Sequence, residues 1–421
     1  SNGNFVILSG DWGIAGITQA GAVTWADGIT GISGIVSSAN SIVGSHKGDE
    51  IGGWGIWTLD NGNYIIRGTR WNSNRGAATW GNGLGGTVGI VSSANSIVGS
   101  KANDYVGDHV TVLENDNYVV ISPLWDNQAT LNVGAVTWGN GATGTSGVVS
   151  SSNSLIGSTT NDYVGGDKWG NTQVVALDNG NYYVGSTAWN NGATVDAGAL
   201  TWGNGVTGTS GVVSSANSLV GTSANDHVGS LGGNLIALSN GNYVIKNADW
   251  DNIAAGATDA GAITWLGDAS LAITGVVSSA NSLVGTSTND HLGGGAVSHV
   301  IPLSNGNYLV VDPEWDNVGI ADAGSITWVD GTTGITGTIS AANSLVGSSA
   351  GDMLGSNSVY ELTNGNYVVV STGWDNGAIT DAGAVTWGDG TAGLTGVISS
   401  ANSLVGTSIN DLIGSGGVTT L

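Results

Sequence analysis

The chain of 421 residues contains no cysteine, only 3 prolines, a single phenylalanine and only 7 lysine and arginine residues. Without cysteine, the chain has no disulfides and no thiol chemistry. With 31 acidic residues its net charge is -24, so it lacks the clustered positive charge that nucleic acid and anionic membrane surfaces require. No apolar run approaches the roughly 20 residues of a membrane-spanning helix. We therefore expect no nucleic-acid partner and no membrane insertion.

Glycine is abundant instead, with 74 copies, and a single motif recurs through the whole chain. The motif reads Asn-Ser-(Ile/Leu)-(Val/Ile)-Gly and is followed five residues later by an aspartate. Self-similarity at a fixed spacing indicates a repeat architecture. The recurring aspartates, here called the ring aspartates, are Asp49, Asp104, Asp162, Asp226, Asp290, Asp352 and Asp411.

Each unit of roughly 60 residues offers four strand-like runs and no helical periodicity. In the fourth unit these runs are NTQVVAL, NYYVGST, GALTWGN and GVVSSANSLVG, and Asn-Gly turns such as Asn179-Gly180 predict hairpins between the first two. Four antiparallel strands repeated seven times predict an all-β fold, a seven-bladed β-propeller in one domain spanning residues 1–421. The predicted blades, called repeats 1 to 7 below, are residues 1–52 plus 415–421, 53–107, 108–165, 166–229, 230–293, 294–355 and 356–414.

The two ends of the chain are complementary in sequence. The chain opens on SNGNFVIL, a turn and strand with no strand before the turn, and ends on GSGGVTTL, a strand with no turn after it. We therefore expect the C-terminal strand to pair into the N-terminal blade and close the ring. A β-solenoid is the alternative, but its rungs have near-constant length and its ends need caps, whereas these units differ in loop length.

The order of these segments resembles a known repeat. Val164-Gly165, Ser122-Pro123, Asp312-Pro313 and the strands that end in Trp138 or Trp387 match the FG-GAP repeat of integrin-α-type propellers. The strings NGNYVV, WDNG and AGAVTWGNG are similar to tandem repeats of unknown function in bacterial haemagglutinin-like surface proteins. This resemblance implies a propeller in a secreted or cell-surface protein. It does not carry over the FG-GAP calcium site, because only a short LDNGN or LSNGN hairpin stands at that place.

A Trp-(Asp/Asn)-Asn string follows the second strand of five units. An indole face can stack on a sugar ring while carboxylates and amides bind its hydroxyl groups, so these loops predict a ligand-binding face. The alternative is that the tryptophans pack between neighbouring blades. The candidate residues are Trp125, Asp126, Asn127, Trp189, Asn190, Trp250, Asp251, Trp315, Asp316, Trp374 and Asp375.

Two further sets of repeated residues are expected to be structural. The ring aspartates are predicted to cap backbone amides in their turns. A second set of tryptophans follows an alternating Ala-(Val/Leu/Ile)-Thr pattern in most units and is predicted to lie in the core. Its members are Trp25, Trp80, Trp138, Trp202, Trp265, Trp328 and Trp387.

Calcium is the only cofactor that the sequence suggests. Asp316 with Asp322, and Asp375 with Asp381, lie within single loops beside Asn317 or Asn376 and could supply oxygen ligands. The metal sites are otherwise unknown, and no other cofactor is expected.

No catalytic residues are predicted. The Gly-x-Ser-x-Gly string around Ser349 lies in a repeat loop, and the units differ mainly in loop length, whereas an active site breaks symmetry. The most aberrant stretch is repeat 2, where Arg67, Arg70 and Arg75 surround a shortened Trp71 loop. A single site would be expected there or at the mouth of the axial channel.

The sequence leads to three functional hypotheses. The first is a non-catalytic adhesion or ligand-binding module that binds a glycan or protein on one face, with avidity from repeated contacts. The second is a purely structural scaffold or assembly subunit, and the third is a polysaccharide-active enzyme. The sequence does not determine the oligomeric state.

Overall fold

The structure is a computed structural model that describes residues 3–14, 16–167, 169, 171–294 and 299–421. In these residues the regular elements are β-strands and one short turn, α1 (Trp71–Asn74), in which Asn72, Ser73 and Asn74 have positive φ, and no helix is long and apolar enough to cross a membrane. Repeat 1 contributes β1 (Phe5–Ser9), β2 (Ala22–Ala26) and β3 (Ile42–Val43). Repeat 2 contributes β4 (Ile56–Thr58), β5 (Tyr64–Arg67), β6 (Ala77–Gly81), β7 (Gly89–Ile90) and β8 (Ser96–Val98).

The later repeats follow the five-strand pattern of repeat 2. Repeat 3 has β9 (His109–Val112), β10 (Tyr118–Ser122), β11 (Ala135–Gly139), β12 (Gly147–Val148) and β13 (Ser154–Ile156). Repeat 4 has β14 (Val174–Ala176), β15 (Tyr182–Ser186), β16 (Ala199–Gly203), β17 (Gly211–Val212) and β18 (Ser218–Val220). Repeat 5 has β19 (Leu235–Ala237), β20 (Tyr243–Asn247), β21 (Ala262–Gly267), β22 (Gly275–Val276) and β23 (Leu283–Val284).

The last two repeats complete the series. Repeat 6 has β24 (His299–Pro302), β25 (Tyr308–Asp312), β26 (Ser325–Val329), β27 (Gly337–Thr338) and β28 (Leu345–Val346). Repeat 7 has β29 (Ser358–Glu361), β30 (Tyr367–Ser371), β31 (Ala384–Gly388), β32 (Gly396–Val397) and β33 (Ser403–Val405). The chain divides into two compact units, Ser1–Ser218 and Leu219–Leu421.

Every repeat forms its own sheet. Repeat 3 is representative, with the order β9-β10-β11-β13-β17, in which the first four strands are antiparallel neighbours. Five sheets have five strands, and the sheets of repeats 1 and 7 have four. Seven repeats that each form a four- or five-stranded sheet are the architecture of a seven-bladed β-propeller, so the predicted fold class is confirmed.

The predicted fourth strand of each repeat is wrong in detail. The run GVVSSANSLVG forms two short strands, β17 and β18, separated by a turn. Asn217 makes this turn, because its side chain accepts a hydrogen bond from the Ser214 amide at 2.9 Å and donates one to the Val212 carbonyl at 3.0 Å. Such side-chain bonds compete with a continuous ladder. The first short strand, β17, then pairs in parallel with β13 of the preceding repeat.

The predicted closing strand is not formed in the described residues. Residues 417–421 have no regular secondary structure, and β1 lies at the edge of its sheet beside β2. Apart from Gly417, this short segment has only Val418 and Leu421 as apolar residues, and Leu421 is fully exposed, so it buries little apolar surface against a sheet. Closure of the ring by the C-terminal strand is therefore not supported.

The buried core lies between consecutive repeats. One cluster joins Leu59 and Ile65 of repeat 2 to Tyr118, Val120 and Trp125 of repeat 3. Similar clusters join repeats 1 and 2, repeats 5 and 6, and repeats 6 and 7. A repeat thus buries its apolar residues only by contact with a neighbour, as is typical of repeat proteins.

The pairing of tyrosine with glycine explains why the third strand ends in Trp-Gly. Tyr118 lies directly opposite Gly139 in the antiparallel pair. A Cβ atom at Gly139 would come within 2.1 Å of the Tyr118 ring, so only glycine leaves room for the tyrosine to cover the neighbouring strand. The same pairing occurs at Tyr64 and Tyr182.

Candidate functional site

The ring aspartates cap the backbone of their own turns. In repeat 2, the Oδ2 atom of Asp104 accepts hydrogen bonds from the amides of Ser100 and Lys101, both at 2.7 Å. Equivalent pairs of bonds occur at Asp49, Asp162, Asp226, Asp290, Asp352 and Asp411. The ring aspartates therefore cap backbone amides in their turns, as expected from the sequence.

The second oxygen of each carboxylate reaches the following repeat. The Oδ1 atom of Asp104 accepts the Asp126 amide at 3.1 Å, which ties the turn of repeat 2 to the tryptophan loop of repeat 3. The corresponding bonds run from the amides of Asn72, Asn190, Asp251, Asp316 and Asp375. Asp411 is exposed, and within the described residues it makes no such bond.

Burial and hydrogen bonding act in opposite directions on these carboxylates. Burial raises the pKa of Asp104, Asp226, Asp290 and Asp352 above the usual value, and the bonded backbone amides lower it by less. The amides therefore offset only part of the cost of removing the charge from water. These aspartates are structural links between repeats, and they are not open to a ligand.

The five loop tryptophans predicted to bind a ligand are buried in the core. Trp125, Trp189, Trp250, Trp315 and Trp374 are only 2–4% exposed. The Trp125 amide donates to the Ser122 carbonyl at 3.1 Å, and this turn directs the indole inward. Their ring faces cannot stack on a sugar, so the predicted binding face is not present, and the alternative of packing between repeats describes them correctly.

The polar residues that follow these tryptophans close their own loops. Oδ1 of Asp126 accepts the Asn132 amide at 2.7 Å. In the other loops, the side-chain oxygens of Asn190, Asp251, Asp316 and Asp375 accept the amides of Asp196, Asp259, Asp322 and Asp381. Asn127 lies in the same loop, where its amide donates to the Thr130 carbonyl at 3.0 Å. The side-chain oxygen at this loop position therefore already accepts a backbone hydrogen bond within its own loop.

The predicted calcium ligands do not fit the ion. Asp316 and Asp322, and likewise Asp375 and Asp381, supply two carboxylates per loop, and one oxygen of each pair is bonded to the loop backbone. Calcium needs six to eight oxygen ligands. No group of three or more His, Cys, Asp or Glu residues suited to a metal occurs in the part of the chain that the structure describes.

Removing calcium should therefore not destabilise the protein. We expect thermal unfolding curves with added calcium and with a chelator to coincide, because the loop carboxylates already have backbone partners. Differential scanning calorimetry at low salt would measure this. A lower melting temperature in chelator that calcium restores, and magnesium does not, would contradict the expectation.

The second set of tryptophans lies at the edge of the core and links consecutive repeats. The indole Nε1 of Trp80 donates to the Gly141 carbonyl of the next repeat at 2.9 Å, and four others make the same bond. Six of the seven rings are half-buried, and Trp25, Trp80, Trp265 and Trp328 pack against the core clusters as expected. Trp387 in the last repeat is 52% exposed.

A cleft in the first compact unit has lining residues that depart from the repeat pattern. It lies between the loops of repeats 1 and 2, has a volume of about 630 Å³, and is lined by Gln19, Glu50, Trp54, Arg70, Asn74 and Tyr105 among others. A volume of this size is typical of small-ligand sites. We call it the Trp54 cleft, and all of its lining residues lie in the first compact unit.

Arg70 and Trp54 form the open side of the Trp54 cleft. Nη1 of Arg70 lies 2.6 Å from Oε1 of Glu50, and its guanidinium carbon lies 5.1 Å from the centre of the Trp54 ring. The arginine and tryptophan are both 46% exposed. The glutamate and the indole together hold the arginine in one orientation at the surface.

Arg67 also lines the cleft, and its hydrogen bonds hold the loop at Gly107 and Asp108. Its Nε donates to the Gly107 carbonyl at 3.2 Å, its Nη2 donates to the Asp108 carbonyl, and its guanidinium carbon lies 4.8 Å from the centre of the Trp57 ring. Burial lowers the pKa of Arg67, and the nearby Asp108 carboxylate raises it again. Arg67 thus fixes the loop at Asp108, whereas Arg70 faces the solvent.

The amide side chains give the cleft hydrogen-bonding groups. Nδ2 of Asn74 donates to Oδ1 of Asn103 at 3.0 Å and lies 3.4 Å from the Tyr105 hydroxyl. Nε2 of Gln19 donates to Oδ1 of Asp11 at 3.2 Å. Both amides line the cleft together with Glu50, Arg70 and Trp54, so hydrogen-bonding groups and an indole border the same cleft.

Sequence reasoning found only part of this site. It singled out Arg67, Arg70 and Arg75, but Arg75 does not line the cleft. It missed Trp54 and Glu50, which belong to the turn that leads from repeat 1 into repeat 2. The available signal was the departure from the repeat, since Trp54 stands where the next unit has His109.

The fold and this geometry define a protein built from seven β-sheet repeats, with a cleft between the loops of repeats 1 and 2 that departs from the repeat pattern. The family model described as a repeat of unknown function (DUF5650) matches residues 1–53, 58–108, 112–166, 176–230, 237–294, 302–356 and 361–415. The chain therefore belongs to this repeat family. No curated protein matches the chain in sequence.

Proposed function

We propose that the protein is a non-catalytic binding module and that the Trp54 cleft binds a saccharide. The observation that supports this is the convergence of an exposed indole with guanidinium, carboxylate and amide groups in a cleft of about 630 Å³. An indole face favours the C–H surface of a sugar ring, and the polar groups favour its hydroxyls. Arg70 and Glu50 neutralise each other, which suits a ligand that is neutral or nearly so.

The charge of the chain favours a site at this place. Five of the seven basic residues, Lys47, Arg67, Arg70, Arg75 and Lys101, fall within repeats 1 and 2 of a chain with net charge -24. Repeats 1 and 2 are thus less negatively charged than the rest of the chain, which suits a neutral or nearly neutral glycan. Adhesion within a secreted or cell-surface protein is the biological setting that we propose, on the basis of the resemblance to bacterial surface repeats.

The proposal is tested on a glycan array, run with calcium and again with chelator. We expect selective binding that is the same in both conditions. Trp54→Ala and Arg70→Ala should each weaken the affinity for the selected glycan at least about tenfold, because they remove central contacts of the site. Isothermal titration calorimetry with the best glycan would measure the change.

A matched control distinguishes binding in the cleft from non-specific binding by an exposed tryptophan. Trp169 is 75% exposed in repeat 4 and does not line the cleft. Trp169→Ala should therefore bind as the unchanged protein does. The assignment would be contradicted if Trp169→Ala and Trp54→Ala lost affinity for the glycan equally. It would also be contradicted if neither cleft variant lost affinity. Release of reducing ends from the bound glycan would favour the enzyme hypothesis instead.

A structural scaffold is the second candidate. It is favoured by the hydrogen bonds that the ring aspartates accept and the tryptophans donate between consecutive repeats, as at Asp104 and Trp80. In that case the array would show no selective binding, and the cleft variants would behave as the unchanged protein.

A further inference from the structure

One position in every repeat carries a side chain on a backbone conformation that disfavours it. The residue after each ring aspartate, here called the display position, has a φ of 44–49°. This left-handed region suits glycine, whereas a larger residue there costs conformational energy, and such strained residues cluster at functional sites. Although the chain has 74 glycines, none stands at a display position. The display positions are Glu50, Tyr105, Tyr163, His227, His291, Met353 and Leu412.

The backbone around the display position is constant, while its side chain varies. In every repeat the display position follows a ring aspartate and precedes an aliphatic residue and a glycine. Its amide is held by a loop carbonyl, as where the Tyr105 amide donates to the Asn74 carbonyl at 2.9 Å. All seven side chains are at least partly exposed. A fixed backbone that presents different side chains at the surface is the usual arrangement of a recognition site.

Two display positions, Glu50 and Tyr105, line the Trp54 cleft. Each is accompanied there by the residue whose carbonyl accepts its amide. Gln19 accepts the Glu50 amide at 3.0 Å, Asn74 accepts the Tyr105 amide, and both Gln19 and Asn74 line the cleft as well. In two consecutive repeats, this arrangement therefore borders the proposed saccharide site.

Repeat 3 carries the same polar side chains as repeat 2 at this place. Nδ2 of Asn132 donates to Oδ1 of Asn161 at 2.9 Å, and the Tyr163 hydroxyl donates to the same oxygen at 3.2 Å. We call these three residues the Asn132 set, and all three are at least partly exposed. Their counterparts in repeat 2 are Asn74, Asn103 and Tyr105. The other repeats do not combine asparagine at both amide positions with tyrosine at the display position.

The Asn132 set adjoins the cleft through a short path of hydrogen bonds. Oδ1 of Asp104, the residue before Tyr105, accepts the Asp126 amide at 3.1 Å. Oδ1 of Asp126 accepts the Asn132 amide at 2.7 Å, and the Asn132 carbonyl accepts the Tyr163 amide at 3.1 Å. All of these residues lie in the first compact unit. The polar surface of the cleft therefore continues from repeat 2 onto repeat 3.

We propose that the Asn132 set is a second saccharide subsite, so that the ligand of the Trp54 cleft is an oligosaccharide that extends from repeat 2 to repeat 3. This inference rests on the proposed function of the cleft. Asparagine amides and a tyrosine hydroxyl bind sugar hydroxyls, and the phenol ring contacts the C–H surface. A short saccharide occupies the cleft alone, whereas a longer one gains the second subsite at little further entropic cost.

The test compares the disaccharide and the longer oligomers of the glycan that is selected on the array, by titration calorimetry. For the unchanged chain, affinity should rise at least about tenfold from the disaccharide to the longer oligomers. Tyr163→Gly and Asn161→Gly should bind the disaccharide as the unchanged chain does and lose most of this rise. Both positions have a positive φ, so glycine suits the backbone and the fold should be kept.

Met353→Gly is the matched control, because it makes the same backbone change at the display position of repeat 6, in the second compact unit. It should bind both probes as the unchanged chain does. Equal affinity of the unchanged chain for short and long oligomers would overturn the second subsite and leave the cleft assignment intact. The same holds if Tyr163→Gly keeps the full rise, or if it loses binding of the disaccharide too. If the unchanged chain selected no glycan, the proposed function and this inference would both be wrong.

Discussion

Replacing Asp312 with serine should make the protein more stable by about 2–4 kcal/mol at neutral pH, because the variant removes a buried carboxylate without partners. Asp312 is 0% exposed, and neither of its oxygens receives a hydrogen bond of normal geometry, although the nearby Glu314 amide acts to lower its pKa. The corresponding position holds a serine in repeats 3, 4 and 7, at Ser122, Ser186 and Ser371. Serine therefore suits this position in the repeat.

The gain should depend on pH. Burial raises the pKa of Asp312 well above its usual value, and the nearby carboxylates of Asp290, Glu314 and Asp316 raise it further. A raised pKa in the folded state means that the fold favours the protonated form. Stability is then highest below the unfolded pKa of about 4 and decreases as the pH rises through the folded value.

Calorimetric melts of both proteins from pH 3 to pH 8 would measure this. The stability difference between Asp312→Ser and the unchanged chain should be small at pH 3 and grow toward neutral pH. The reciprocal variant Ser122→Asp should lose stability with the same pH dependence, because Ser122 is equally buried and its hydroxyl is also without a partner. A pH-independent difference, or a less stable Asp312→Ser protein, would contradict the account.

Replacing Asp104 with alanine should destabilise the first compact unit by about 2–4 kcal/mol, since three backbone amides would lose a charged acceptor. The amides belong to Ser100, Lys101 and Asp126, and the last of these lies in the next repeat. The carboxylate is 0% exposed, so water cannot replace it without rearrangement of the turn. Thermal and urea unfolding followed by circular dichroism would measure the change.

Asp411→Ala is the matched control for this prediction. Asp411 accepts the amides of Thr407 and Ser408, both at 2.8 Å, but it is exposed to solvent. Its loss should cost less than about 1 kcal/mol, because water can take over both amides. If the two alanine variants were equally stable, the link between repeats through Oδ1 would have no energetic importance.

The repeat pattern was sufficient to predict the fold class but not the strand connections. Alternating apolar runs and Asn-Gly turns correctly indicated hairpins such as the β14–β15 pair. The turns differ in detail, since Gly180 has a φ of 82° while Asn179 is not in the left-handed region. The split of the fourth run into two strands was not predicted. Its cause is the hydrogen bonding of the Asn217 side chain, which competes with strand pairing and is not visible in the pattern of apolar residues.

The site was harder to predict because the same residues suit two environments. A Trp-Asp-Asn string has the chemistry of a sugar site, yet the turn at Ser122 directs Trp125 into the core. The sequence does not show which way a loop tryptophan points. Trp54 and Arg70 do not form a recognisable sequence motif. They become neighbours only because the turn from repeat 1 contacts the loop of repeat 2 in the fold.

The most direct test of the binding assignment is the affinity of the chain and of its Trp54→Ala variant for the glycan selected on an array, measured by titration calorimetry with Trp169→Ala beside them. The account predicts that Trp54→Ala binds at least about tenfold more weakly while Trp169→Ala binds as the unchanged chain does. Selective binding that survives both Trp54→Ala and Arg70→Ala would contradict the assignment of the site to this cleft.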